Sequence, residues 1–164
     1  MLDNEQIDYV QECRYLGVHL YRRLNWNGHC RAMRTKALGT LGQLAPFLQS
    51  SLPQKSKLLI YKSYVRPQMT YASPAWAFIT KTQYKSLQVV QNRALRIIGV
   101  YDIRTRTTKM HFDLKIPMLK SYVKILALKM YASAKTSRNM YVRKLGSAST
   151  VLDPRVRRPL HILS

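Results

Sequence analysis

Between Cys13 and Tyr101 the sequence has no aspartate and no glutamate, while the same stretch carries fourteen lysines and arginines. Exposed helices normally mix both signs, so this gap excludes ordinary surface ion pairing as the fate of these cations. Over all 164 residues there are 7 acidic side chains against 28 basic ones, a formal charge of +21. Four of those acids, Asp3, Glu5, Asp8 and Glu12, fall in the first dozen positions. Such a balance favours polyanionic partners and leaves the fold open. Cysteine is scarce too: Cys13 and Cys30 cannot build a disulfide framework, which points to a reducing compartment. The acidic start MLDNEQIDYV has neither the basic nor the apolar region of a secretory signal, and no apolar run approaches membrane-spanning length. The expected setting is intracellular, nuclear or cytoplasmic, with no membrane partner.

The patterns that carry catalysis are missing as well. No two acids are adjacent or placed on a tight hairpin, as two-metal phosphoryl chemistry would need, and Asp102 and Asp113 stand alone. Cys13, His19, His29 and Cys30 include neither a C-x-x-C nor an H-x-x-x-H pair, so zinc is not expected. LGTLGQ, residues 38–43, lacks the Lys-Ser or Lys-Thr of a phosphate loop. No catalytic residue and no cofactor is assigned to the chain itself.

What is present is enough apolar content, 46%, for one core, in a mainly α pattern. Alternation at Ile7 and Tyr9, then at Tyr15, Gly17 and His19 against Leu16, Val18 and Leu20, predicts one or two short strands. A lone hairpin is marginal in water, which suggests a sheet partner beyond it. From Asn27 the period turns helical, with Cys30, Met33, Ala37, Leu41, Leu44 and Leu48 in a stripe flanked by Arg31, Arg34 and Lys36 and an end near Gln49. Gly39 and Gly42 lie off this stripe, where a missing side chain permits close approach of another backbone. Ser51 and Pro53 open a second helix with Leu58, Tyr61 and Val65 inward, ended or kinked at Pro67. In TYASPAW, residues 70–76, Ser73 and Pro74 break the helix and Trp76 supplies a large anchor. Thr80 and Gln83 form a T-x-x-Q capping box for a third helix that Gly99 ends.

That third helix contains LQVVQNRALRIIG, in which Tyr84, Leu87, Ala94, Leu95 and Ile98 share a face with Gln91 at its middle. A buried amide needs partners, and the irregular TYASPAW backbone is the expected one. Lys85, Arg93 and Arg96 occupy the other face. Residues 100–117 read as an extended basic loop through Arg104, Arg106 and Lys109. A fourth helix follows Pro117, with Leu119, Tyr122, Val123, Leu126 and Met130 inward and Lys120, Lys124 and Lys135 outward. From about residue 137 the pattern becomes a loosely ordered basic tail.

Four stretches, RYLGVHLYRRLNWNGH (14–29), LIYKSYVRPQMTYASPAW (59–76), LQVVQNRALRIIG (87–99) and HFDLKIPMLKSYV (111–123), together resemble the reverse transcriptases of non-LTR retrotransposons, specifically jockey-like elements of insects. The similarity lies in the region after the polymerase palm. It implies a thumb-like bundle of three to four helices (27–136) preceded by one or two β-strands from the end of the palm sheet (1–26), then the tail (137–164). The resemblance places Tyr15, Leu16 and Gly17 in a primer-grip-like strand. The paired metal-binding aspartates of such polymerases precede YLGV, so activity is not expected from this chain alone, and magnesium belongs to the intact enzyme. Two departures stand out: Tyr21 occupies a position where the family commonly has Asp, and no cysteine-rich knuckle follows.

Combined with the charge pattern, the resemblance implies phosphate contacts to RNA, DNA or an RNA–DNA hybrid that read shape and not sequence. The candidate cations are Arg22, Arg23, Arg31, Arg34, Lys36, Lys55, Lys57 and Lys62. The missing palm and fingers would be the protein partner. Two other classes compete: a free-standing basic DNA/RNA-binding or ribosome-associated protein, and a complete enzyme of unknown type.

Overall fold

The computed structural model describes residues 10–21 and 26–147, which form a mainly helical body with one two-stranded antiparallel sheet. The strands β1 (Glu12–Tyr15) and β2 (Val18–Tyr21) pair with Tyr15 opposite Val18, leaving Leu16 and Gly17 as a two-residue turn. Both turn residues have positive φ, 46° and 78°. This left-handed turn follows the twist of the strands, and glycine suits it while leucine is strained there. β1 is exposed along its length, whereas Val18 of β2 is buried and Leu20 packs on the core. Ile7 and Tyr9 lie outside the described residues.

Helix α1 (Asn27–Gln49) buries His29, Cys30, Met33, Ala37, Leu41 and Leu48. The expected stripe is there, with Leu44 half-buried. Helix α2 (Gln54–Ile60) starts differently from expectation: Ser51 does not cap it, and the Pro53 carbonyl accepts from Ser56 N–H at 2.9 Å and from Lys57 N–H at 3.2 Å. Nor does the helical rod end at Pro67. It widens into a π turn (Tyr61–Val65), in which Arg66 N–H donates to the Tyr61 carbonyl, and continues as α3 (Arg66–Thr70). A proline inside a helix clashes with the carbonyl four residues earlier, and the wider turn accommodates it.

The break falls at Tyr71 and Ala72, the latter at φ 49°, before the single turn α4 (Ser73–Trp76). Trp76 is fully buried and its Nε1 donates to the Tyr71 carbonyl at 2.8 Å. Helix α5 (Lys81–Gly99) carries the predicted capping box: Gln83 N–H donates to Thr80 Oγ1 at 3.2 Å and Thr80 N–H to Gln83 Oε1 at 2.7 Å. Its end is not a left-handed glycine. Val100 takes the left-handed position (φ 52°), and Gly99 is needed for space because a Cβ there would overlap the Tyr101 ring.

The region read as an extended loop contains a helix, α6 (Thr107–Asp113), burying Met110 and His111. Helix α7 (Leu119–Lys135) is rotated from expectation, burying Leu119, Val123, Ala127, Tyr131 and Ala134, with Leu126 half-buried and Met130 exposed. The expected loose tail begins with a helix as well, α8 (Met140–Ser147), whose first turn is capped by Asn139 Oδ1 accepting from Tyr141 N–H at 2.9 Å. The core is one continuous cluster joining α1, the π turn, α5 and α7, with α1 packed along α5 and α4 against α7.

Candidate nucleic-acid interface

The cations come first, because among the described residues no lysine or arginine is in an ion pair. Among the described residues one ion pair forms, His19 Nδ1 with Glu12 Oε1 at 2.6 Å. Arg31, Arg34 and Lys36 are exposed along one helix, α1; Lys55 on α2 and Lys62 in the π turn are exposed too. Lys57 is placed differently. Only 7% exposed, it borders a shallow cavity with Gln49, Arg96 and Asp102 at the C-terminal end of α5, whose open carbonyls favour a cation. Arg22 and Arg23 lie outside the described residues. A Cβ at Gly39 or Gly42 would meet nothing within 4 Å, so both glycines border open space on the cationic helix.

The hairpin turn is held beside these cations. The Tyr71 hydroxyl donates to the Leu16 carbonyl at 2.8 Å, and the Tyr71 ring passes 3.5 Å from where a Cβ on Gly17 would sit. Tyr15 and Leu16 are 65% and 73% exposed, an apolar tip with no cover among the described residues. Behind the tip lies a cavity of about 430 Å³, bordered by Arg14 of β1, His19 of β2, His29 and Lys36 of α1, and Gln68 and Tyr71. Arg14 and Tyr71 were not singled out in the sequence, and His29 was weighed there only for zinc. The pairing of two strands over a helix start, which brings them together, leaves no local pattern.

His29 is 2% exposed, and its Nδ1 accepts from the His19 backbone N–H at 3.4 Å, while Nε2 is buried without a hydrogen-bond partner. Burial first, and the charge of His19 second, lower its pKa from 6.5 to about 4. The unfolded chain therefore takes up a proton below its ordinary pKa that the folded chain refuses, so the stability contribution is full above that pKa and is lost as pH falls toward the folded value. Urea unfolding should show a loss of about 2 kcal/mol between about pH 7 and pH 5. His29→Leu should flatten this acid limb; parallel curves for the two proteins would remove the assignment. Burial also pushes the neighbouring Cys30 thiol up to about 11, which suits a packing role and not that of a metal ligand.

Gln91 is 1% exposed, and its bonds run elsewhere than to TYASPAW. Its Nε2 donates to the Pro117 carbonyl at 3.1 Å and its Oε1 accepts from Gln88 Nε2 at 2.9 Å. Gln88 Nε2 also donates to Asn92 Oδ1 at 2.8 Å, and Gln88 Oε1 caps α7 by accepting from Leu119 N–H at 2.8 Å. His111 Nδ1 donates to the Ile116 carbonyl at 2.7 Å, with its Nε2 3.1 Å from Gln88 Nε2. One turn of α5 thus holds both α6 and the start of α7 by side-chain amides. On the other face Lys85 and Arg93 are exposed, but Arg96 is half-buried and reaches the Ile103 carbonyl at 3.5 Å.

The jockey mobile element of Drosophila melanogaster encodes an RNA-directed DNA polymerase that is 30% identical to this chain over 161 residues, 95% of the chain. The chain is a homologue of non-LTR retrotransposon RNA-directed DNA polymerases. Two further relatives from the same fly are the probable RNA-directed DNA polymerases of transposon BS, 28% identical over 74% of the chain, and of the X-element, 32% identical over 63%. The chain spans 17%, 14% and 12% of these three polymerases. No family model and no solved structure matches it. Among the described residues no three His, Cys, Asp or Glu side chains are grouped to hold a metal ion. No helix among the described residues is long and apolar enough to cross a membrane.

Proposed function

We propose that this retrotransposon polymerase segment is a thumb-like nucleic-acid clamp, which holds a template–primer duplex of RNA, DNA or both through sequence-independent phosphate contacts. Residues 27–136 form the clamp, and the hairpin with Tyr15, Leu16 and Gly17 presents its tip to the primer strand beside it. Chemistry belongs to the palm of the intact enzyme with its magnesium, and palm and fingers are the protein partners. The observation that carries this reading is the set of exposed Arg31, Arg34 and Lys36 on the flanks of α1, none of them in an ion pair among the described residues, with Lys36 beside the docked hairpin turn. Cations of this kind follow a backbone without reading bases.

The purified chain should bind RNA, DNA and hybrid duplexes with similar affinity. For about four phosphate contacts, affinity should fall roughly a hundredfold between about 50 and about 200 mM salt, through counterion release. Replacing Arg31, Arg34 and Lys36 by glutamine together should weaken every sequence equally and flatten the salt slope by about 2 to 3. Salt-independent affinity, or loss confined to one sequence, would defeat the proposal. The continuous core favours a second reading, in which the segment folds and binds nucleic acid by itself. Cooperative unfolding of a purified monomer is the result that reading requires.

A further inference from the structure

The cavity behind the hairpin tip is more than a gap between elements. Its walls come from four separate pieces of chain, β1, β2, α1 and the end of α3. About 430 Å³ is the size class of small-molecule sites and would accept one nucleotide. Arg14 and Lys36 border it and, among the described residues, no carboxylate does; Glu12 is engaged by His19. The apolar part of the wall includes Met33, Pro67 and the half-exposed ring of Tyr71, while Gln68 adds a side-chain amide. Two cations, an aromatic face and an amide are the groups that bind a phosphate, a base plane and a base edge. The turn that forms one rim is strained at Leu16 and kept in place by the Tyr71 hydroxyl, an arrangement that fixes the wall before any ligand arrives.

We propose that this cavity holds a single unpaired nucleotide of a bound strand, with its phosphate on Arg14 and Lys36 and its base against Tyr71. The inference rests on the clamp reading and adds to it a site for a nucleotide leaving the duplex, separate from the exposed face of Arg31 and Arg34.

The test uses the full chain and adenosine monophosphate, adenosine and inorganic phosphate as probes, followed by amide NMR. Adenosine monophosphate should shift the amides of Gly17, Ala32 and Gln68 together, and bind about tenfold more tightly than either adenosine or phosphate, since each of those lacks one half of the contacts. Lys36→Gln and Tyr71→Leu should each lower that affinity several-fold, whereas Lys129→Gln, on exposed α7 surface, should not. Unchanged amide spectra away from the cavity would show that the variants remain folded. Equal binding of all three probes, or shifts spread over the cationic surface, would overturn the proposal. If the duplexes bind with the expected salt slope while adenosine monophosphate leaves these amides unmoved, the cavity site alone fails; if the duplexes do not bind either, the clamp reading fails with it.

Discussion

Trp76→Ala should cost about 3 to 5 kcal/mol, a large share of the roughly 5 to 15 kcal/mol by which a domain is usually stable. The side chain is fully buried where α4 packs on α7, with the His29 ring meeting it edge-on at a centroid distance of 6.2 Å. Removing it opens a large cavity and also strips the Tyr71 carbonyl of its indole donor. Because Tyr71 in turn holds the Leu16 carbonyl, the damage should spread to the hairpin turn. Trp76→Phe separates the two effects: it keeps most of the apolar contact, loses the N–H, and should cost about 1 to 2 kcal/mol. Urea unfolding of both variants measures this, and a loss below about 1 kcal/mol for the alanine variant would mean that Trp76 is not the anchor of this corner.

Gln91→Leu should cost about 1 to 3 kcal/mol despite the similar volume and added apolar surface, because it orphans one buried carbonyl and weakens the bonding of a buried amide. The Pro117 carbonyl would lose its donor and Gln88 Nε2 one of its acceptors. The Tyr61 hydroxyl, buried beside Gln91, would lose its polar neighbour. A surface change on the same helix, Lys85→Gln, should stay within about 0.5 kcal/mol. Arg96 is unsuitable as such a control, since its Nε is buried and unpartnered. If Gln91→Leu instead raises stability, the amide cluster contributes less than the apolar contact that replaces it.

The strong amphipathic pattern of α5 was legible residue by residue: Tyr84, Leu87, Gln91, Ala94, Leu95 and Ile98 are all buried, and the Thr80–Gln83 box closes as read. What the pattern could not give was the partner of Gln91. An amide's need for a hydrogen bond is local, but which backbone supplies it depends on how α6 returns the chain to α5. That helix escaped notice because Thr107–Asp113 hides only Met110 and His111 and leaves Phe112 84% exposed, so no apolar stripe marks it. On α7 hydropathy favoured Leu126 and Met130 over Ala127 and Ala134, although small side chains are the ones that permit close helix approach. Arg31, Arg34, Lys36, Lys55 and Lys62 lie on the surface where a charge run is normally found, and Lys57 does not, because its stem is drawn against the end of α5.

Tyr21, the last residue of β2, reaches across to the first turn of α1. Its ring lies over Gly28, where any Cβ would overlap it. The contact joins the hairpin to the helix start: a side chain at 28 would force the Tyr21 ring to swing away, since the atoms it meets are the outer end of that ring. A substitution at 28 would thus be felt first in the hairpin, through the ring of Tyr21.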